Sequence, residues 1–535
     1  MGTGNSGVLL FTCLLLVIPA RGQEPTEAGA RFTLRGSVVN SVTGEPVRKA
    51  LVEIGGPQSK RAFTGPDGQF QMEGLAGGNF TIAARRPGFM EAAGWPLSPS
   101  VAGSGPITVT AAGGVTVGPD MGAVVIKLVP QAKISGRVLD TEGEPVANLR
   151  VQCLQQNIQA GHKIWQQAQT VNTDEEGNFL IEHLSRGMVL VQTLQQQVYP
   201  GMIDDDNASR LVYRRQYYPN SPDIGAAQAI ELSPGQEARV ELSVSTIRGT
   251  RVFFAVTPPQ QGISAALWDA NGDSLEVEMQ QNVRTGGWIL PSVPPGLWTL
   301  RVSSYGQQQL SGEVAIQVGS DDVRNVAVPL SPVMQAPIVV SGGTSSAPGV
   351  PPVNVQLLPA ISRIASNPYL AAFSQVGQGG RLTMQGVAPG AYHVVANAIG
   401  SECVESITSG SSDLSRADYV ISGESSPPAI HVGLRSDCAS LEVFMGQRGS
   451  QTGAVIVAGG PNASEPQLAG YMSPGGSPTF RLSPGDYEVY AFSDLTDVEY
   501  ANPDVLRKYS GQHVSLSSNQ KARVNLDMNA PAEKQ

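Results

Sequence analysis

Charged residues make up only 15% of the 535 positions, and the little charge present leans acidic, with a net of −10. A nucleic-acid-binding chain needs a basic face to displace counterions, and no such face is encoded. Anionic membrane surfaces are disfavoured for the same reason. Histidine is scarce: His162, His183, His393, His431 and His513 are scattered, and none has the H-x-x-x-H type of spacing that a zinc site uses. The sequence also lacks a G-x-S-x-G elbow, a G-x-x-x-x-G-K-[ST] loop and a strand-linked G-x-G-x-x-G. These are common signatures of hydrolases, nucleotide hydrolases and dinucleotide enzymes. A triad assembled from distant segments would leave no such mark. The expectation is a non-enzyme with no catalytic residue and no cofactor.

Long apolar runs are missing too, apart from residues 8–18 (VLLFTCLLLVI). That run is too short to span a bilayer and suits the core of a signal peptide. Small residues at Ala20 and Gly22 place a cleavage site after Gly22, although residues 1–7 contain no Lys or Arg. Residues 1–22 are therefore expected to be a leader, with Cys13 discarded in it. The mature chain is expected to be soluble, without a membrane span, and secreted, periplasmic or at the cell surface. Three cysteines remain, an odd number, so at least one is unpaired within the chain. Cys153 alternates with Val151 and is expected inside a core as a small hydrophobe. Cys403 and Cys438 either pair, which an oxidising compartment permits, or stay as two buried thiols.

What the sequence does have is glycine (61), proline (39) and 41% hydrophobic residues. That mixture suits many short strands joined by tight turns. One phrase recurs: LAGGNFTIAA from Leu75, LSRGMVLVQT from Leu184, VPPGLWTLRV from Val293, VAPGAYHVVA from Val387 and LSPGDYEVYAF from Leu482. The interval is about one hundred residues, a domain repeat rather than a solenoid. Glycine stands three places after each anchor (Gly78, Gly187, Gly296, Gly390, Gly485), preceded by proline in three copies. Pro-Gly predicts a type II turn. Apolar residues then alternate, as at Phe80, Ile82 and Ala84, which predicts a half-buried strand. A second glycine lies seven places before each anchor (Gly68, Gly177, Gly286, Gly380, Gly475), with a short strand between. In the fifth copy Phe480 is one place out of phase with its counterparts, so a bulge or shifted register is expected there. Helical turns are expected only at NPDVLRKY from Asn502 and RIASNPYLAAF from Arg363.

Upstream of the first two phrases, GSVVNSVTGEPVRKALVEI and ISGRVLDTEGEPVANLRVQCL match each other as strand, Gly-Glu-Pro-Val turn, strand. Together with TGPDGQFQMEGLAGGNFTIAARRPGF and TDEEGNFLIEHLSRGMVLVQT, they resemble two copies of the carboxypeptidase regulatory-like domain. The resemblance implies a transthyretin-like sandwich of seven strands that lacks the zinc ligands of the catalytic domains it accompanies. It also implies an exported bacterial repeat protein. The later copies keep the looser GG…L-x-P-G-x-aromatic half. The expected fold is all-β: about five tandem Ig-like or transthyretin-like β-sandwiches at residues 31–130, 131–246, 247–331, 332–434 and 435–530.

Two clusters remain as candidate sites. Asp204, Asp205 and Asp206 are either a weak calcium candidate or a solvated loop, since they lack the alternate spacing of a dedicated calcium loop; Asp321 and Asp322 read the same way. Trp288 and Trp298 fall on core-facing positions, whereas the facing of Trp268 is open, making it a candidate for stacking on a sugar ring. The function expected first is a non-catalytic adhesion, scaffold or cell-envelope interaction protein. The alternative is a carbohydrate-binding protein using exposed aromatics and loop carboxylates. The partner is an unidentified protein or glycan at the cell envelope.

Overall fold

Alternation of apolar and polar side chains builds this molecule. In the strand Gly78–Arg85, Phe80, Ile82 and Ala84 are buried while Asn79 and Arg85 reach solvent. The strand Gly485–Phe492 likewise buries Tyr487, Val489 and Ala491. The structure is a computed structural model of the chain. It describes residues 30–90, 107–110, 112–119, 121–198, 211–260, 262–269, 274–276, 279–282, 286–305, 310–332, 334–342, 351–359, 364–365, 372–376, 382–387, 390–422, 426–445, 453–461, 465–472, 477–495 and 497–529. The leader expected at residues 1–22 lies outside them. Among the described residues, helix is limited to Pro503–Leu506, capped by the Asn502 side chain, and the 3-10 turn Ile224–Ala226. Of the second expected helical turn, Ile364–Ala365 and, at its end, Ala372 and Phe373 are described, and both pieces are strand. No helix among the described residues is long and apolar enough to cross a membrane.

The buried apolar side chains of the described residues gather into five large clusters that follow one another along the chain. The first runs from Leu34 to Leu128, the second from Ala132 to Val244 and the third from Val252 to Leu330. The fourth runs from Ala336 to Leu434 and the fifth from Ala439 to Leu526. Each fully buried Val, Leu, Ile or Phe contributes about 1.5–3 kcal/mol relative to exposure, so each cluster is a substantial core.

One strand plan recurs around all five. The first strand of each core pairs in parallel with its last: Arg31–Asn40 with Val124–Leu128, Ala132–Asp140 with Glu237–Val244, and Thr250–Thr257 with Val323–Pro329. Met334–Gly342 pairs likewise with Ile430–Arg435, and Ala439–Met445 with Lys521–Leu526. On its other edge each first strand pairs antiparallel with the strand that precedes the recurring anchor.

The recurring phrase is not a hairpin. Gln69–Ala76 pairs with the first strand, but Gly78–Arg85 pairs with Leu51–Gly55 and Ala112–Val117. In the second core Asn178–Leu184 and Gly187–Thr193 belong to different sheets. The turn carries the chain over the edge of the core from one layer to the other. The glycine that opens the second strand has φ of +143° at Gly78, +128° at Gly187, +154° at Gly296 and +155° at Gly390. These values lie well beyond the +80° of a type II turn. In these four copies the turn is therefore an open crossing that only glycine enters without strain; Gly485 in the fifth has no positive φ. The upstream glycines Gly68, Gly177 and Gly286 sit at φ +73°, +77° and +71°, in the left-handed region.

The fifth copy differs in the opposite sense from the expectation. Copies one to four each carry a register shift beside the strand before the anchor. In the first, Met72 and Leu75 are both buried with Glu73 and Gly74 between them. In the fifth, Phe480 pairs with Leu441 and Leu482 with Ala439 in unbroken alternation. The out-of-phase Phe480 marks a regular strand, and the bulge belongs to the other four copies.

The two layers also do not stay separate everywhere. Around the first core, Ile107–Thr110 pairs with both Ala112–Val117 and Val124–Leu128, joining everything into one eight-stranded sheet wrapped about the core. Ala372–Val376 does the same in the fourth, giving nine strands.

Candidate functional site

Buried polar contacts repeat with the strand plan and fix its turns. Thr64 Oγ1 donates to Val47 O (2.6 Å) and accepts from Ala50 N (2.8 Å). Thr173 Oγ1 makes the same pair with Val146 O (2.7 Å) and Leu149 N (2.9 Å). Each hydroxyl therefore locks the segment that follows a Gly-Glu-Pro-Val turn. Later copies lock the crossing turn instead: Trp298 Nε1 donates to Pro294 O (3.0 Å) and Tyr487 Oη to Ser483 O (2.8 Å), in both cases four residues back. This gives the aromatic after Pro-Gly a bonding role as well as a packing one, resembling the tyrosine corner of other sandwiches. Burial pushes the Tyr487 hydroxyl up to about 12.

The candidate residues fall into distinct surroundings. Asp204, Asp205 and Asp206 lie outside the described residues. Asp322 is largely buried and takes Arg251 at 3.1 Å and Arg324 at 3.3 Å. Both guanidiniums lie over the Phe253 ring, 5.9 and 4.7 Å from its centroid. That carboxylate is committed to a cation–π knot. Trp268 ends the strand Ile263–Trp268 next to fully buried Leu267, so its indole lies on the outer face. The Arg301 guanidinium sits 5.1 Å from the ring centroid and bonds Glu313 at 3.0 Å. One face of that indole is thus occupied by a cation. Trp288 and Trp298 pack against the third core.

Cys403 and Cys438 form a disulfide that ties the strand Cys403–Ser409 to the connector entering the fifth core. Beside it Ser483 Oγ donates to Val404 O (2.6 Å), and Arg435 holds the Asp437 carboxyl well below the usual carboxylate range. Cys153 is a buried free thiol, pushed up to about 12 by desolvation.

The histidines do not converge. His393 Nδ1 meets Asp418 at 2.9 Å and His162 Nε2 meets Glu465 at 2.8 Å, both half exposed. Among the described residues no group of three His, Cys, Asp or Glu could hold a metal ion. One constellation was not read from sequence: His513 and Ser515 face Asp486 and Glu488 across a strand pair. Period-two spacing on adjacent strands was its signal. The Ser515 hydroxyl donates to Asp486, and His513 stands 3.5 Å from it with its ring largely exposed. A serine bonded to carboxylate, in open solvent, is not activated as a nucleophile.

A cleft of about 310 Å³ opens between the second and third cores. Gln195, Arg214, Arg215 and Tyr217 line one wall, and Asp269, Pro294 and Trp298 the other. Arg215 and Asp269 face each other across it at 3.8 Å. Among the described residues its lining combines no Ser, Cys or His with that carboxylate, and so no nucleophile–base pair.

The cores also hold one another. Ile364–Ala365, from the fourth-core stretch, adds in parallel to the second core's strand His162–Asn172 at Trp165 and Gln166. The hairpin formed by Arg150–Gln159 and His162–Asn172 turns through Ala160 and Gly161, with φ of +47° and +89°. Its tip meets the fifth-core segment: Ala501 N donates to Gly161 O (3.1 Å) and Lys163 N donates to Glu499 (3.5 Å), while Arg186, in the crossing turn before Gly187–Thr193, pairs with Asp494 (2.8 Å). Ile158 packs against a small cluster of Ile456, Tyr490, Phe492, Val498, Tyr500 and Leu506.

Similarity to solved structures is remote. The Bacillus anthracis TIE protein is 12% identical over 56% of this chain and 51% of that one, with a TM-score of 0.17; the chain thus spans about half its length. A minor pilin of Streptococcus agalactiae is 11% identical over 40% of this chain and 96% of its own, with a TM-score of 0.20. The shaft pilin SpaA of Lactobacillus rhamnosus GG, as a double mutant, is 9% identical over 41% and 99%, with a TM-score of 0.20. Similarity at that level transfers no role to this chain. No curated protein sequence matches it. Residues 33–118, which contain the first core's Thr64 lock and most of its strands, match the carboxypeptidase regulatory-like domain family.

Proposed function

We propose that this is an exported, non-catalytic scaffold or adhesion protein of the cell envelope, built from five sandwich domains at residues 31–130, 131–246, 247–331, 332–434 and 435–530. The observation that carries this reading is the linkage between cores. A disulfide, an added strand and a docked hairpin tie them together, while the described residues of the cleft between the second and third cores pair no nucleophile with a base. Such a chain is organised to hold surfaces at fixed positions. The Cys403–Cys438 bond supports an oxidising compartment, in keeping with a leader at residues 1–22.

The test is fractionation of the native host followed by crosslinking on intact cells. The chain is expected in an exported fraction, in covalent adducts with envelope components. Residence in the cytosol with reduced cysteines, or saturable turnover of a chromogenic ester, glycoside or peptide by the purified chain, would overturn the reading.

A further inference from the structure

The contact between the second-core hairpin and the fifth core joins residues about three hundred positions apart. Its parts are a tip and a groove. The tip offers Ile158, the Gly161 carbonyl and His162. The groove offers the apolar cluster around Tyr500, the Ala501 amide and Glu465. The fit is close: a Cβ on Gly161 would lie 2.6 Å from Ala501 Cβ and 2.7 Å from the Tyr500 ring. Yet the cohesion is thin. One backbone hydrogen bond, a long one from Lys163 N to Glu499 (3.5 Å) and one aliphatic side chain form the centre. The rim is ionic and wet, with His162 and Glu465 exposed at 43% and 44% and Arg186 and Asp494 at 51% and 37%. Exposed pairs of this kind contribute little. Both halves belong to one chain, which gives the tip a high effective concentration at the groove and favours the closed contact.

Tip and groove are different surfaces, so the contact is heterologous: any chain carries one of each. We propose that the hairpin tip of one copy docks in the fifth-core groove of a second copy, exchanging the internal contact for an identical one between molecules. The partner is thus a second copy of this chain, and crowding copies together favours the exchange. Repeated head to tail, the same contact links molecules into rings or open strings. This does not depend on the envelope reading, since it needs only two copies in solution.

Complementation tests it. A tip variant, Gly161→Val, drives a branched side chain into Ala501 and Tyr500 but keeps its groove. Ile158→Ser is a second tip variant that leaves the turn alone. A groove variant, Glu465→Arg with Glu499→Arg, removes the acceptors of His162 and of the Lys163 amide and sets two cations and longer side chains against the tip, while keeping its own tip. Each variant alone is expected to be monomeric and more open in small-angle scattering than the unchanged chain. Their equimolar mixture is expected to form a 1:1 heterodimer by sedimentation at concentrations up to about 1 mM, the effective-concentration range of a short flexible tether. The unchanged chain is expected to dimerise weakly over the same range. A mixture that stays monomeric while both variants are open overturns the exchange. Variants whose scattering matches the unchanged chain overturn the contact itself.

Discussion

Replacing Thr173 with valine exchanges a hydroxyl for a methyl and changes almost nothing else about the side chain. Thr173 is only 5% exposed, and its Oγ1 serves two backbone groups, Val146 O and Leu149 N. The backbone bonds Asn148 N to Thr173 O and Thr173 N to Leu149 O, both 3.0 Å, survive the change. The substitution therefore leaves one buried carbonyl short of its hydroxyl partner and one amide without its side-chain acceptor. An orphaned buried group costs about 1–3 kcal/mol, so Thr173→Val is expected to cost about 3 kcal/mol. Thr173→Ser keeps both bonds and loses one methyl, about 1 kcal/mol. At 1.36 kcal/mol per decade, the valine variant should raise the opening equilibrium of the second core on the order of a hundredfold. Hydrogen exchange by mass spectrometry on the strands Arg150–Gln159 and Gly187–Thr193 reads this directly. Equal exchange in Thr173→Val and Thr173→Ser would refute the reasoning, because only the hydroxyl separates them in kind.

Gly136→Ala places a Cβ 2.4 Å from Val240 O and 2.5 Å from the Phe179 ring; overpacking against a backbone carbonyl should cost about 3 kcal/mol in a urea melt. Gly143→Ala, at φ +85° with nothing within 4 Å, should cost only about 1 kcal/mol. Removing the Cys403–Cys438 bond, whose sequence separation is 35, should destabilise the fourth core by about 4 kcal/mol in the chain-entropy account. In the unfolded, unreduced chain a maleimide should label Cys153 but neither of those two. Tyr419 donates to Pro428 O at 2.5 Å, and burial pushes its hydroxyl, like that of Tyr487, up to about 12 from 10.0. Their folded pKa values are raised, so the stability they add is complete below pH 10 and is lost as pH rises through 12. Absorbance at the tyrosinate band should show both ionising only as the cores open.

Much of the strand plan was legible because it is local. Phe80, Ile82 and Ala84 alternate in sequence and are buried in space, and Gly68 and Gly177 punctuate turns that need positive φ. The pairing partners were not legible. Ala132–Asp140 meets Glu237–Val244 in parallel across about one hundred residues, and nothing in either strand names the other. The crossing at Gly187 reads only as a turn between two strands, because a Gly-bearing turn looks the same whether the chain folds back or steps between layers. Phe480 misled for a related reason: a phase slip between copies does not say which copy holds the extra residue. The Ala160-Gly161 turn lacks the Asn or Asp that usually announces a two-residue hairpin, so the docking tip went unread. What covers the Trp268 ring is not legible either, because it is Arg301, thirty-three residues away on the neighbouring strand.

The claim on which the rest depends is that the five apolar clusters are separate cores. Native-state hydrogen exchange in rising urea, followed peptide by peptide, measures this. Amides within one core, from Leu34 to Leu128 or from Val252 to Leu330 for example, should lose protection along one shared isotherm, with different isotherms for different cores. A single isotherm covering peptides from all five would contradict the account.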